Sequence, residues 1–374
     1  VLGQPTRALY LKRTKGKKKT RPRFSGFRSR PRSGIHWAVV NFGLRYDLRC
    51  PDFAGVTSET LARVAIEQSA WADERGFLSV TLSEHHGSPD AYLPSPMVLG
   101  AAIAARTQRI RLVLAALIAP LHDPVRLAED IAMLDVISGG RVIPVLSAGY
   151  VESEFRTFGT ELSQRAAVME GIVPFLKKAF SGEAFEHRGV SIRVLPRPVQ
   201  RPHPPIVLGG ASAAAARRAA RHADHFIPSL QKYWDIYREE RIRLGRSDPG
   251  PGMRTTGNAV FVAEDPDAAW ARIAPHAMHE TRAYAAWAKE AGLETGYVHA
   301  ESEAALRERG DYPVLTPEQL IERARGLGAG TTVMLHPLVG GLDPDFSWAM
   351  LELFEKRVMP ALREAPTQGA RDGV

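Results

Sequence analysis

Residues 109–147 read RIRLVLAALIAPLHDPVRLAEDIAMLDVISGGRVIPVLS. They hold one complete strand–helix–strand unit. The apolar, β-branched run from Arg109 to Leu117 reads as a strand buried on both faces. Asp123-Pro124 then starts a helix, with Asp at the N-cap and Pro at the first helical position. Ser138-Gly139-Gly140 ends it, and Arg141 to Ser147 is the next strand. A strand, a crossover helix and a second strand make a parallel pair. One residue resists: Pro144 lies inside the second strand, forfeits a ladder hydrogen bond there and points to a bulge.

The same rhythm extends outward in both directions. Upstream, a strand from Val39 to Arg45 precedes a helix capped by Thr57 or Ser58 and ended by Gly76. A second strand follows from Phe77 to Ser83, then a helix over 95–106. Downstream, a helix covers 162–180, and a small hairpin over 183–195 leads through a proline-rich connection to Pro205. Strands follow at Ile206–Leu208, Asp224–Ile227, Thr256–Val262 and Thr331–His336, each with a helix behind it. Residues 280–315 fit no strand and read as an insertion. Eight strands alternating with helices predict an α/β fold, a (β/α)8 TIM barrel spanning 35–366. A dinucleotide-binding sheet is disfavoured, because the first strand leads into Tyr46-Asp47-Leu48 and not into a glycine-rich fingerprint.

Charge divides the chain unevenly. The formal net charge is +8, yet residues 1–34 carry 12 Lys and Arg and no acid, leaving 37 basic against 41 acidic residues. The body is therefore mildly acidic. The leader lacks an apolar segment, an amphipathic pattern and interleaved aromatics, so it reads as a disordered extension; residues 367–374 read as a tail. Neither nucleic acid nor membrane is expected as a partner, and no apolar run reaches the roughly 18 residues of a membrane span. The single cysteine, Cys50, allows no internal disulfide, which suits a cytoplasmic protein.

In a parallel barrel, chemistry collects at the C-terminal strand ends. Those ends hold Ser83-Glu84-His85-His86-Gly87, Ser147-Ala148-Gly149-Tyr150, Gly209-Gly210-Ala211-Ser212 and His336-Pro337. Strand parity places Val80 and Leu82 under the helices, and Thr81, Ser83 and His85 on the inner face. His85 is thus the candidate catalytic residue, as general base or hydrogen-bond donor. Gly209 and Gly210 allow close approach of an anion, and Ser212 caps a helix whose N-terminus attracts phosphate. Gly149 allows the same approach, and Tyr150 can pack on a ring. Adjacent Glu84, His85 and His86 point to opposite sides and make no ligand set, so no catalytic metal is expected.

Taken as a set, these motifs resemble the bacterial luciferase-like monooxygenase family. The resemblance rests on E-H-H at 84–86, T-x-R-I-x-L at 107–112 and P-V-R-x-A-E-D at 124–130. It extends through L-D-x-x-S-G-G-R, A-G-Y and E-F-x-x-F-G up to 159, PPIVLGGAS at 204–212, HADHFIP at 222–228 and HPLVGGLDPDFSWAMLELFEKRVMP at 336–360. It implies a barrel that binds reduced FMN or a reduced deazaflavin, acts on a small organic substrate, works with a flavin reductase and forms a homodimer. It implies that His85 assists the flavin chemistry. It also implies that Ala115 and Ala116 line the ring on a strand with a bulge or non-prolyl cis peptide, while Ser147, Gly149, Tyr150, Gly209, Gly210 and Ser212 hold the cofactor. The insertion at 280–315 stands where the family carries a mobile lid. One departure is Ala148, where luciferase has an arginine; a luciferase-like phosphate contact is in doubt. With FMN the chemistry is oxygenation; with a deazaflavin it is hydride transfer. A non-catalytic flavin-binding protein is the third reading.

Overall fold

The computed structural model describes residues 40–252, 255–256, 259–328 and 330–363. The expected basic extension over 1–34 and the tail over 367–374 lie outside the described residues. Eleven strands are described: β1 (Asn41–Tyr46), β2 (Ser79–Leu82), β3 (Arg111–Ile118), β4 (Val142–Ser147), β5 (Phe185–His187), β6 (Val190–Ile192), β7 (Val207–Gly210), β8 (His225–Pro228), β9 (Phe261–Val262), β10 (Val314–Leu315) and β11 (Thr332–Leu335). Seven form one parallel sheet in the order β11-β1-β2-β3-β4-β7-β8. The segment leading into β9 runs alongside β11, with parallel bridges at Thr255–Thr332 and Val260–Leu335. The barrel therefore keeps chain order around its ring, with this segment in the seventh place. β5 and β6 are the expected hairpin.

Helices cover the outside: α1 (Ser58–Glu74), α2 (Pro96–Arg106), α3 (Pro124–Ser138), α4 (Glu152–Thr157), α5 (Arg165–Phe180), α6 (Ala213–His222), α7 (Gln231–Arg243), α8 (Pro266–Glu290), α9 (Glu303–Arg309), α10 (Pro317–Leu327), α11 (Pro344–Leu353) and α12 (Met359–Arg363). Their starts follow the local chemistry. The Asp123 carboxylate accepts from the Val125 and Arg126 amides. Thr316 and Gln319 form a reciprocal capping box at α10. Leu82 of β2 and Leu114 of β3 point into α2 and α3, where Gly100 of α2 lets them approach. That fixes the parity expected for β2. No helix among the described residues is long and apolar enough to cross a membrane.

Two features depart from the sequence reading. The insertion expected over 280–315, irregular or helical and without a strand, is partly helical as expected but does hold a strand. Its first third belongs to α8, because Ala269, Ile273, Ala277, Tyr284 and Ala288 recur at helical spacing and are buried. Its end supplies β10, which pairs in parallel with β9. Pro144 also finds its account. It lies across from Leu114, beside a register shift between Ala115 and Leu117, and the pairing of β4 with β7 begins only at Val145. The bulge is in the neighbouring strand, not in β4 itself.

Candidate active site

His85 follows the end of β2 and is buried, at 7 % exposure. Its Nδ1 lies 2.8 Å from Glu154 Oε1, and the same oxygen accepts the His86 amide at 2.7 Å. Four aromatic rings surround the imidazole. Tyr92 and Tyr150 stand edge-on at 4.9 and 5.7 Å, Tyr284 lies at 6.0 Å, and Trp287 lies at 4.4 Å, tilted by 31°. Tyr284 and Trp287 come from α8, so that helix forms a wall over the barrel mouth. Burial pushes the Tyr92, Tyr150 and Tyr284 hydroxyls up, which keeps them neutral phenols.

Glu84 serves a different set of partners, as opposite strand parity requires. Its carboxylate accepts from the Ile118 amide at 2.7 Å and meets His86 Nε2 and His122 Nε2, each at 2.9 Å. Burial raises this carboxyl, but the hydrogen bonds from His122 and His86 hold it at about 2. One side chain thus ties the end of β2 to the end of β3 and to the loop before α3.

The expected cofactor residues line an arc of adjacent strand ends. Ala115 and Ala116 are joined by a cis peptide at the β3 bulge and are half-buried. Ser147, Gly149 and Tyr150 follow on β4 and its loop, and Gly209 and Gly210 on β7, all half-buried. Tyr150 touches His85; Ser212 stands apart and exposed, capping α6 through a bond from the Ala215 amide at 3.1 Å. The glycines differ in kind. Gly149 has φ +68°, and a Cβ there would meet Ile118 Cγ2 at 2.6 Å. At Gly210 a Cβ would collide with the Ala215 side chain, so this glycine serves helix packing. Gly209 alone leaves room, its would-be Cβ meeting nothing closer than 3.6 Å. This surface of small residues, ending at a helix N-terminus, fits a flat ring with a phosphate tail.

Behind the aromatic cage lies a buried ionic cluster that the strand-end reading did not include. Arg49 is fully buried and sits over Tyr92, Tyr284 and Trp287 at 4.6, 4.8 and 5.0 Å. It pairs with Asp90, which also accepts from His279 at 2.7 Å. Arg45 pairs with Glu280 at 2.8 Å. His336, at the end of the eighth expected strand, is wholly buried between Asp47 at 3.5 Å and Glu280 at 3.4 Å. Burial lowers its pKa, but the flanking carboxylates raise it overall. Asp47, Glu280 and His336 bring their ligand atoms within 4.8 Å of one another, a spacing a metal could use. The charge is already met, since Arg45 and Arg49 stand beside the carboxylates and the two His336 nitrogens face different acids. The signal for this cluster was Arg45-Tyr46-Asp47-Leu48-Arg49, charged residues alternating at the end of β1. Glu154 was visible only as the first residue of E-F-x-x-F-G, and nothing in that motif ties it to His85, 69 positions away.

α8 is pinned at successive turns by His276 on the Gly340 carbonyl, His279 on Asp90, Glu280 on Arg45 and the Tyr284 hydroxyl on that of Tyr92. These contacts pack residues 276–287 against the barrel, at the start of the segment over 280–315 where a lid is expected. On its outer side, a cleft of about 670 Å³ is lined by Phe53, Pro275, Met278, His279 and Arg282 among others. His85 is not among that cleft's lining residues.

The family described as luciferase-like monooxygenase matches residues 49–331. The chain belongs to that family. The FMNH2-dependent dimethylsulfone monooxygenase of Pseudomonas putida is 26% identical over 70% of this chain and 77% of its own length. The first curated relatives, at 25 to 33% identity, are covered over only about half of their length. Among solved structures, monooxygenase RslO1 from Streptomyces bottropensis superposes with a TM-score of 0.70 at 25% identity, over 86% of this chain and 99% of that one. An F420-dependent secondary alcohol dehydrogenase shares the fold at a TM-score of 0.63 and 17% identity, over 87% of this chain and all of that one.

Proposed function

We propose that the protein is the oxygenase component of a two-component monooxygenase, taking reduced FMN from a separate flavin reductase and acting with O2 on a small organic substrate. The observation that carries this reading is His85, held by a buried carboxylate in an aromatic cage beside the arc of small residues at the β3, β4 and β7 ends. When bound, reduced FMN supplies the electrons that activate oxygen. The protein's own part is positional. Ala115 and Ala116 offer the ring a flat surface, Gly209 and the α6 N-terminus receive the phosphate, and Tyr150 packs at the ring edge. Tyr284 and Trp287 exclude water from the reacting face. His85 holds or accepts a proton there. The relative that acts on dimethylsulfone with FMNH2 supports the cofactor assignment.

Ala148 favours a second reading, a deazaflavin-dependent hydride transfer, because no arginine meets the FMN phosphate at that position. Anaerobic titration of the full chain with reduced FMN and with a reduced deazaflavin separates the two. Saturable binding of reduced FMN is expected; tight deazaflavin binding with none of FMN overturns the proposal. His85→Ala is expected to keep binding and lose substrate-dependent O2 uptake. Uptake that is absent from both proteins, with binding intact, would instead support a flavin-binding protein without catalysis.

A further inference from the structure

We infer that Glu154 is the positioning residue for His85, fixing the imidazole as the tautomer with hydrogen on Nδ1 and leaving Nε2 as the proton acceptor. The inference rests on the reading that His85 works at the cofactor mouth, but its geometry stands apart from the identity of the cofactor. Glu154 belongs to α4, the short helix after Gly149-Tyr150, and its side chain is fully buried. Two donors converge on one of its oxygens, the His85 ring at 2.8 Å and the His86 amide at 2.7 Å. An amide N–H can only donate, so Oε1 is an acceptor. The imidazole nitrogen facing the same oxygen is then the protonated one. The other carboxylate oxygen, Oε2, is buried with no partner among the described residues. That leaves Glu154 one function in the fold beyond the His86 amide, namely to hold the His85 ring.

The place of α4 is itself anchored. Phe155, the next residue, packs with Ile118 and Leu121 in a small cluster of its own. Ile118 in turn is held by Glu84. The carboxylate that orients His85 is thus fixed relative to the β3 bulge where the cofactor ring is expected.

The groups that face His85 are Glu154 from α4, Tyr92 from the loop after β2, Tyr150 from the loop after β4, and Tyr284 and Trp287 from α8. Arg49 lies over three of those rings. Glu154 is the one anion among them, set against the Arg49 cation, whose charge is matched by Asp47 and Asp90. In the proton step, an acidic X–H group at the mouth gives its proton to Nε2 while its bonding electrons stay on X. Nδ1 keeps its hydrogen, and the resulting imidazolium is balanced by Glu154 without a second transfer.

The test uses the cofactor-free full chain labelled with 15N in histidine. The wild-type His85 spectrum at high pH is expected to show a protonated Nδ1 and a bare Nε2; the reverse tautomer overturns the proposal. Glu154→Leu, which removes the acceptor, is expected to release the ring, so that hydrogen on Nε2 becomes the main neutral form, while Glu154→Gln, whose amide oxygen still accepts, keeps the wild-type tautomer. A Glu154→Leu tautomer pattern identical to wild type also overturns the proposal. These readouts need no substrate and no cofactor, so a failed FMN assignment leaves them unaffected. Once turnover is available, kcat of Glu154→Leu should fall with KM little changed, and Glu154→Gln should restore part of it.

Discussion

His85 illustrates how far a single residue can be read from sequence. Its strand-end position and parity placed it on the inner face, and the structure puts it there, between Glu154 and Trp287. Its partner was not legible, because a carboxylate on a short helix two strands further along the chain gives no signal that it meets His85. Glu84 was read as pointing elsewhere, which holds, yet its three partners could not be seen before the loops were placed. Two expectations follow at this scale. Glu84 has a folded pKa of about 2 against an ordinary 4.5, so its contribution is complete above 4.5 and lost as pH falls toward 2. Glu84→Gln should therefore flatten the acid limb of a stability-versus-pH curve; an unchanged limb refutes the assignment. Gly149→Ala forces a Cβ into Ile118 at a positive φ. The cost should be about 1–3 kcal/mol, read from the urea midpoint, and a midpoint equal to wild type would show that the loop relaxes freely.

Elements were more legible than their ends. β3, α3 and β4 came directly from the apolar runs, the Asp-Pro start and the Gly-Gly stop. The bulge in β3 was implied by the resemblance at Ala115 and Ala116, while the local pattern hinted at it only through Pro144 in the adjacent strand. α8 was underestimated, because Pro275 inside it and the aromatic residues facing inward disguise a continuous helix. Its tie to the barrel is ionic. Glu280→Ala would leave Arg45 without its 2.8 Å partner and His336 with one carboxylate in place of two. A loss of about 3–5 kcal/mol is expected from stranding buried charge, measured by chemical unfolding; a loss under about 1 kcal/mol would mean that water enters. His336 provides the opposite pH sign. Its folded pKa lies above the ordinary 6.5, because Glu280 and Asp47 outweigh burial. Its contribution is complete below 6.5 and disappears as pH rises through the folded value. Replacing His336 with Gln should remove that alkaline loss, and an alkaline limb that survives the change would assign it to another group.

At the scale of the whole molecule, the order of strands around the barrel was readable from alternation alone, and the strand-end face on which chemistry is expected was named from the same pattern. The ionic cluster was not, because it is assembled from β1, α8 and the end of β11. Arg45 and Tyr284 are 239 positions apart in the chain. That separation has a consequence for synthesis. On the ribosome, Arg49 meets Asp47 and Asp90 early, but Arg45 emerges long before Glu280 and Asp47 long before His336, and until then the charge of Arg45 must remain hydrated. The first strand therefore cannot be sealed into the interior ahead of the last one, and the mouth is completed only when β11 docks. A chain stopped after residue 330 would keep Glu280 and most of the apolar core but lack β11 and His336, leaving Asp47 and Glu280 without the imidazole between them. It is expected to show no single cooperative thermal transition, whereas a sharp one would mean that the early strands close the interior by themselves. The same buried charges that hold α8 over His85 thus act as a check on completeness, closing the end of the first strand only once Glu280 and His336 are present.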